Sequence, residues 1–216
     1  MSCNYTHRFI ALASSLFVAL YLNPTVANDV VARTCEISAA KDPNVHLDFC
    51  LRSLAAAPAS DMADLYELGA ISIELIGRNA TSTRRYIERL LKKNKKKKNP
   101  SLDSYVRPRL SDCRELYSDV KATVRDAAAD YASKRYEEVN VKLSSVMDAV
   151  TTCEDGFKEM DGGVSPLTKR NDDAFELTAI ALCILNMRPW TVVGSGLYSA
   201  IENFKFHFMN LRIGIF

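Results

Sequence analysis

Cysteines, histidines and a run of lysines are the residues of this 216-residue chain whose types could do chemistry. From residue 28 onward the thiols are Cys35, Cys50, Cys113, Cys153 and Cys183, and the imidazoles are His46 and His207. A cysteine nucleophile needs a histidine base. The two imidazoles fall in an early turn region and in the extreme tail, far in sequence from Cys113 and Cys153. Zinc wants several Cys or His at short spacing, and neither a C-x-x-C nor an H-x-x-x-H pair occurs. No carboxylate pair, triad, metal cluster or cofactor motif stands at interpretable spacing, so the sequence points away from an enzyme and implies neither metal nor cofactor. Disulfide formation is the chemistry left for the thiols, and it depends on the compartment.

Residues 1–27 supply the compartment. They carry Arg8 and no acidic residue, run through an apolar stretch from Phe9 to Leu22, and reach the small residues Thr25, Val26 and Ala27. That is the pattern of a secretory signal peptide, and its apolar core is short for a bilayer span. The mature chain then starts near Asn28 with its thiols in an oxidising environment, where five cysteines imply two bridges and one leftover thiol. Its length suits one domain, 28–188, followed by an unassigned extension, 189–216. The formal charge of the whole chain is only +2, which does not suggest a nucleic-acid partner. Asn79-Ala80-Thr81 satisfies the N-glycosylation rule.

The elements that must position these residues are helical. Strand-like alternation is nearly absent from Asp29 to Leu185, while apolar residues recur every three or four positions. A short pair spans roughly 29 to 40 and 44 to 56, broken at Asp42-Pro43-Asn44, with Asn44 suited to cap the second helix. Pro58-Ala59-Ser60-Asp61 then opens a long helix to about Leu91, with Leu68, Ile71, Leu75, Ile87 and Leu91 apolar. A second, about 102 to 131, carries Leu110, Cys113, Tyr117, Val120, Val124, Ala127 and Tyr131. A third, about 136 to 160, carries Val139, Leu143, Val146, Val150, Cys153, Phe157 and Met160, and a fourth from about Asp172 carries Ala174, Leu177, Ala181 and Ile184. Each stripe is the buried seam of an amphipathic helix. The fold class is all-α, an antiparallel up-down-up-down four-helix bundle preceded by a helical hairpin.

This arrangement decides which thiols meet. Cys113 and Cys153 lie on apolar seams, each about twenty residues from the break between their helices, so antiparallel folding brings them level roughly 30 Å from the turn. Cys35 and Cys50 are likewise equidistant from Asp42-Pro43-Asn44. Two hairpins, each stapled opposite its turn, is the economical connectivity, and each bridge stabilises by about 3 to 5 kcal/mol through the unfolded chain. Cys183 is left as a small buried hydrophobe.

With these pieces in place the chain resembles the plant invertase and pectin methylesterase inhibitor family. The likeness covers about residues 29 to 187. It is carried by Thr34-Cys35, Cys50-Leu51-Arg52-Ser53-Leu54, Asp112-Cys113-Arg114-Glu115-Leu116-Tyr117, Thr152-Cys153-Glu154-Asp155-Gly156-Phe157 and Ser165-Pro166-Leu167-Thr168. Asp42-Pro43-Asn44-Val45, the run from Cys153 to Glu159 and Val164 to Lys169 look most like its pollen-allergen-like invertase inhibitors. The resemblance implies a rigid, stapled, secreted inhibitor that occludes the cleft of a plant acid invertase, with pectin methylesterase as the alternative target. It also implies a site between the second and third bundle helices, where invertase-directed members place a Pro-Lys-Phe motif. Here that stretch reads Ser133-Lys134-Arg135-Tyr136, without the proline and with the aromatic one residue later. Lys134, Arg135 and Tyr136 are therefore the candidate target-binding residues, and solvated turn residues are the alternative reading of the two cations.

Two features stand outside that family pattern. Lys92, Lys93, Lys95, Lys96, Lys97 and Lys98 place six lysines in seven residues. This is either a self-repelling solvated loop or a grip on pectate, the polyanion of the plant cell wall, by counterion release. The extension after Arg188-Pro189-Trp190 carries Phe204, Phe206, Phe208 and Phe216, either a partner- or membrane-touching segment or a gene-model artefact. A monomer in the apoplast or vacuole, with no stable membrane span, completes the reading.

Overall fold

The computed structural model describes residues 25–94, 100–159 and 164–187, and all regular structure among them is helical. The order is α1 (Thr25–Lys41), α2 (Leu47–Ala55), a single 3-10 turn (Ser60–Met62), α3 (Leu65–Asn94), α4 (Pro100–Ala132), α5 (Tyr136–Lys158) and α6 (Thr168–Met187). Helices α3 to α6 form the four-helix bundle, α3 and α5 each packing against both α4 and α6. The α1–α2 hairpin lies across α6 and the start of α3.

Local chemistry sets the boundaries, and in three places it overrules the simplest reading of the sequence. Pro58 to Asp61 do not open the long helix. Ala59 is in the left-handed region at φ 71° and leads into the 3-10 turn. The helix starts at Leu65, where the Asp64 N–H donates to Glu67 Oε2 and the Glu67 N–H donates to Asp64 Oδ1, both at 2.8 Å. That reciprocal pair is a capping box. Asn44 does not cap α2, whose N-cap is His46. Instead Asp42 Oδ1 accepts from both the backbone N–H and the side-chain amide of Asn44, at 2.9 and 2.8 Å, closing an Asx turn. Helix α6 begins four residues before Asp172, because the Leu167 carbonyl already accepts from the N–H groups of Arg170 and Asn171.

The seams of α4, α5 and α6 are buried throughout, from Leu110 to Tyr131, from Val139 to Phe157 and from Ala174 to Ile184; Met160 lies outside the described residues. On α3 Leu68 and Ile87 are buried but Ile71, Leu75 and Leu91 only partly so, while Ile73, Ile76 and Ala80 are buried. The shift arises because the first turns of α3 serve two cores: Leu68 packs with the hairpin, Ile73 onward with the bundle. Disulfides join Cys35 to Cys50 and Cys113 to Cys153, with Cα separations of 5.6 and 5.0 Å. Cys183 is half-buried against the hairpin core, and burial, reinforced by the Asp42 charge, pushes its thiol pKa up.

The bundle core also contains a satisfied polar chain. The Tyr117 hydroxyl donates to Asn171 Oδ1, Asn171 Nδ2 donates to Glu154 Oε2, and the Thr168 hydroxyl donates to Glu154 Oε1, each at 2.7 Å. Burial holds the Tyr117 hydroxyl protonated far above its ordinary range, so it remains a donor. A buried carboxylate with every partner in place fixes one register among α4, α5 and α6.

Candidate functional site at the turn between α4 and α5

The two helices are joined by Ser133, Lys134 and Arg135. Lys134 has φ 59°; its N–H bonds to the Tyr131 carbonyl at 3.0 Å and the Arg135 N–H to the Asp130 carbonyl at 2.9 Å. These are the two backbone bonds of a Schellman motif with Lys134 at the left-handed position, where glycine is the usual residue. A side chain there costs roughly 1 to 2 kcal/mol. Lys134 is exposed and makes no ion pair with any described residue.

Arg135 differs. Its guanidinium pairs with the Asp130 carboxylate, which also accepts from Lys142 Nζ at 2.6 Å. Asp130 is buried, its side chain 8 % exposed, and these two hydrogen bonds, Lys142 first, hold its carboxyl below the usual carboxylate range. Arg135 is therefore a clamp on the turn. Tyr136 packs edge-on against Tyr131, ring centroids 5.8 Å apart, and Tyr131 stacks on Tyr66 at 5.1 Å. The Tyr131 hydroxyl reaches the Tyr66 carbonyl at 3.0 Å by passing over Gly69. A Cβ on Gly69 would lie 1.9 Å from that hydroxyl oxygen, so only glycine admits the stack. The result is an aromatic platform with a clamped turn and one projecting ammonium.

Of the residues singled out from the sequence, Lys134, Arg135 and Tyr136 come together here in distinct roles. Asn79 stands half-buried midway along α3, its Oδ1 accepting from the Thr83 hydroxyl at 3.2 Å. Lys92 is exposed on α3 and Lys93 follows in the same helix, whereas Lys95 to Lys98 and the extension from Arg188 lie outside the described residues. Asp130, Lys142, Tyr66 and Gly69 escaped the sequence reading. No local spacing rule connects Asp130 with Lys142 or Gly69 with Tyr131, although the double helix-side signal of Asp130 and Tyr131 just before a break could have drawn attention. Among the described residues no group of three His, Cys, Asp or Glu could hold a metal ion, and no helix is long and apolar enough to cross a membrane.

The fold and this site define a class: a bundle of helices stapled by disulfides that presents side chains on a clamped turn. Residues 29–184 match the family described as plant invertase/pectin methylesterase inhibitor, and the chain belongs to that family of enzyme inhibitors, which are not themselves enzymes. It is 45 % identical over 168 residues, 78 % of this chain and 90 % of the relative, to a protein of Platanus acerifolia named "Putative invertase inhibitor". It is 28 % identical over 193 residues, 84 % of this chain and 97 % of the relative, to the "Pectinesterase inhibitor" of Actinidia deliciosa. In fold it is similar to the crystal structure of a mutant form of a pectin methylesterase inhibitor from Arabidopsis, with TM-score 0.58 and 24 % identity over 71 % of this chain and 97 % of that one.

Proposed function

We propose that this chain is a secreted inhibitor of a plant acid invertase and that Lys134, carried on the α4–α5 turn, enters the target's cleft. The observation that carries the reading is a lysine at a left-handed helix terminus. Glycine would remove the strain at that position; Ala59 shares the left-handed backbone but offers only a methyl, whereas the strained position at Lys134 carries an exposed ammonium, which points to use of the side chain. The invertase target is supported by 45 % identity to the Platanus relative against 28 % to the Actinidia one.

The mechanism is occlusion. A stapled bundle loses little conformational freedom on docking, and the Asp130 clamp keeps the tip ordered before contact. An exposed ammonium suits a cleft lined by carboxylates, because the ion pair forms where water is excluded. Two cystines suit export to an oxidising compartment, in keeping with residues 1–27 as a signal peptide and with action in the apoplast or vacuole.

The test is residual activity of a plant acid invertase and a plant pectin methylesterase, side by side, after incubation with the oxidised protein and with Lys134→Ala. Inhibition of invertase alone, weakened at least tenfold by Lys134→Ala, is the expected result. Inhibition of the esterase alone transfers the site to the other target, and silence against both removes the inhibitor reading.

A further inference from the structure

A groove of about 1000 Å³ runs along the outer face of the bundle between α3 and α4. It is lined by Arg78, Arg85, Arg89 and Lys92 from α3 and by Lys121 and Arg125 from α4, against only Glu74 and Glu88. Both carboxylates are occupied: Glu74 by Arg78 at 2.6 Å, and Glu88 by Arg84, outside the lining, at 2.9 Å. Arg125 is held by Asp126 at 3.0 Å. Arg85, Arg89, Lys92 and Lys121 are exposed and make no ion pair with any described residue. Fourteen helical residues separate Arg78 from Lys92, so the cations extend over about 21 Å.

The rest of the lining is uncharged, small, apolar or hydroxylic: Ala70, Ile73, Gly77, Thr81, Ser82, Val124 and Ala128. At Gly77 an added Cβ would make ordinary van der Waals contact with Val124 Cγ1, at 3.5 Å. Uncharged lining beside guanidinium and ammonium groups can take the face of a sugar ring while the cations take its carboxylates, which guanidinium binds bidentately. The length of the groove, with cations spread along it, suits a linear polyanion. No aromatic side chain lines the groove, so it lacks the stacking platform by which proteins hold unpaired bases.

We propose that this groove binds a linear carboxylated polysaccharide, a polyuronate, with Arg85, Arg89 and Lys121 as its principal contacts. The site is separate from the α4–α5 turn and does not rest on the target proposed there.

The experiment measures retention of the full chain on immobilised polygalacturonate between 0.05 and 0.2 M salt. The triple variant R85Q/R89Q/K121Q, altered only at exposed positions, should bind at least tenfold more weakly. Its salt slope should fall by about 2, the release expected for three charges on a single-stranded polyanion. Its helical circular dichroism and its action on the target enzyme should match the parent. A second variant, with Lys95 to Lys98 changed to Gln, should keep binding that the triple variant loses. Retention of the triple variant equal to the parent overturns the proposal. So does parental binding to polyglutamate or single-stranded RNA as tight as to polygalacturonate, which would reduce the groove to charge alone, and so does equal binding to fully methyl-esterified pectin.

Discussion

The hairpin and the bundle share a plan, antiparallel helices stapled by a cystine away from the turn, but they use the staple differently. In the bundle Cys113 and Cys153 are one layer of a long core that continues through Leu110, Tyr117, Val146 and Phe157, tied further by the Tyr117–Asn171–Glu154 chain. In the hairpin α2 is nine residues long, too short to hold as an isolated helix. Cys35 and Cys50 share their core with Val31, Val45 and Leu54, and Leu68, Ile180 and Ile184 of the bundle complete it. The turns differ too. Glu176 of α6 grips the hairpin apex, accepting from the His46 N–H at 2.7 Å, whereas the α4–α5 apex is closed from within its own two helices, by backbone bonds and the pairing of Arg135 and Lys142 with Asp130, and leaves Lys134 outside. A staple inside a self-sufficient core reinforces a fold, and one inside a borrowed core decides whether a segment stays docked.

The bundle bridge should give the largest effect. Replacing Cys113 and Cys153 by Ser releases a 40-residue separation and should lower the unfolding free energy by about 4 kcal/mol, read by denaturant titration, with native-like helical content retained before the transition. Replacing Cys35 and Cys50 releases 15 residues and should lower it by about 3 kcal/mol. Hydrogen exchange should then show hairpin amides losing protection while α4 and α5 keep theirs; parallel loss in both would merge the two regions into one cooperative unit. Gly69→Ala drives a methyl into Tyr131 and should destabilise by about 1 to 3 kcal/mol, with a perturbed near-ultraviolet tyrosine signal. Lys134→Gly should raise stability by about 1 kcal/mol while weakening inhibition at least tenfold, a divergence that Lys134→Ala, still carrying a Cβ, would not give.

The smallest effect concerns acid. The Asp130 carboxyl is held below its ordinary value of about 3.9 by Lys142 and Arg135, so its stabilisation is complete above that value and is lost as pH falls through the lower, folded one. The turn should therefore stay ordered from pH 5 to 7, and Asp130→Asn should disorder it at every pH, as checked by exchange of the Arg135 amide. Inhibition that changes between pH 5 and 7 in the parent, with unchanged Arg135 protection, would assign that dependence to groups other than Asp130.

Legibility followed the range of the interaction. The seams of α4, α5 and α6 could be read because a helix repeats its buried face every three to four residues, and the cystine partners because equal distance from a turn needs only chain geometry. Helix starts were less legible: Asp64 and Glu67 form a readable capping box, but the nearby Pro58 offered a competing start that Ala59 overrides with its left-handed turn. On α3 the stripe was read as one face although the helix serves two cores, which no periodicity within α3 reveals.

The sequence by itself determined an all-helical chain, its two hairpins, its stapling and the family to which its motifs belong, since these depend on local period, turn residues and the spacing of cysteines. Only the tertiary structure separated Lys134 from Arg135, adjacent cations of like exposure in the sequence, by bringing Asp130 and Lys142 to one of them. It alone placed Gly69 under Tyr131 and set Arg85 and Arg89 across a groove from Lys121. Helical period says which residues share a face of one helix, but the neighbour that each face meets is set by packing between segments distant in the chain.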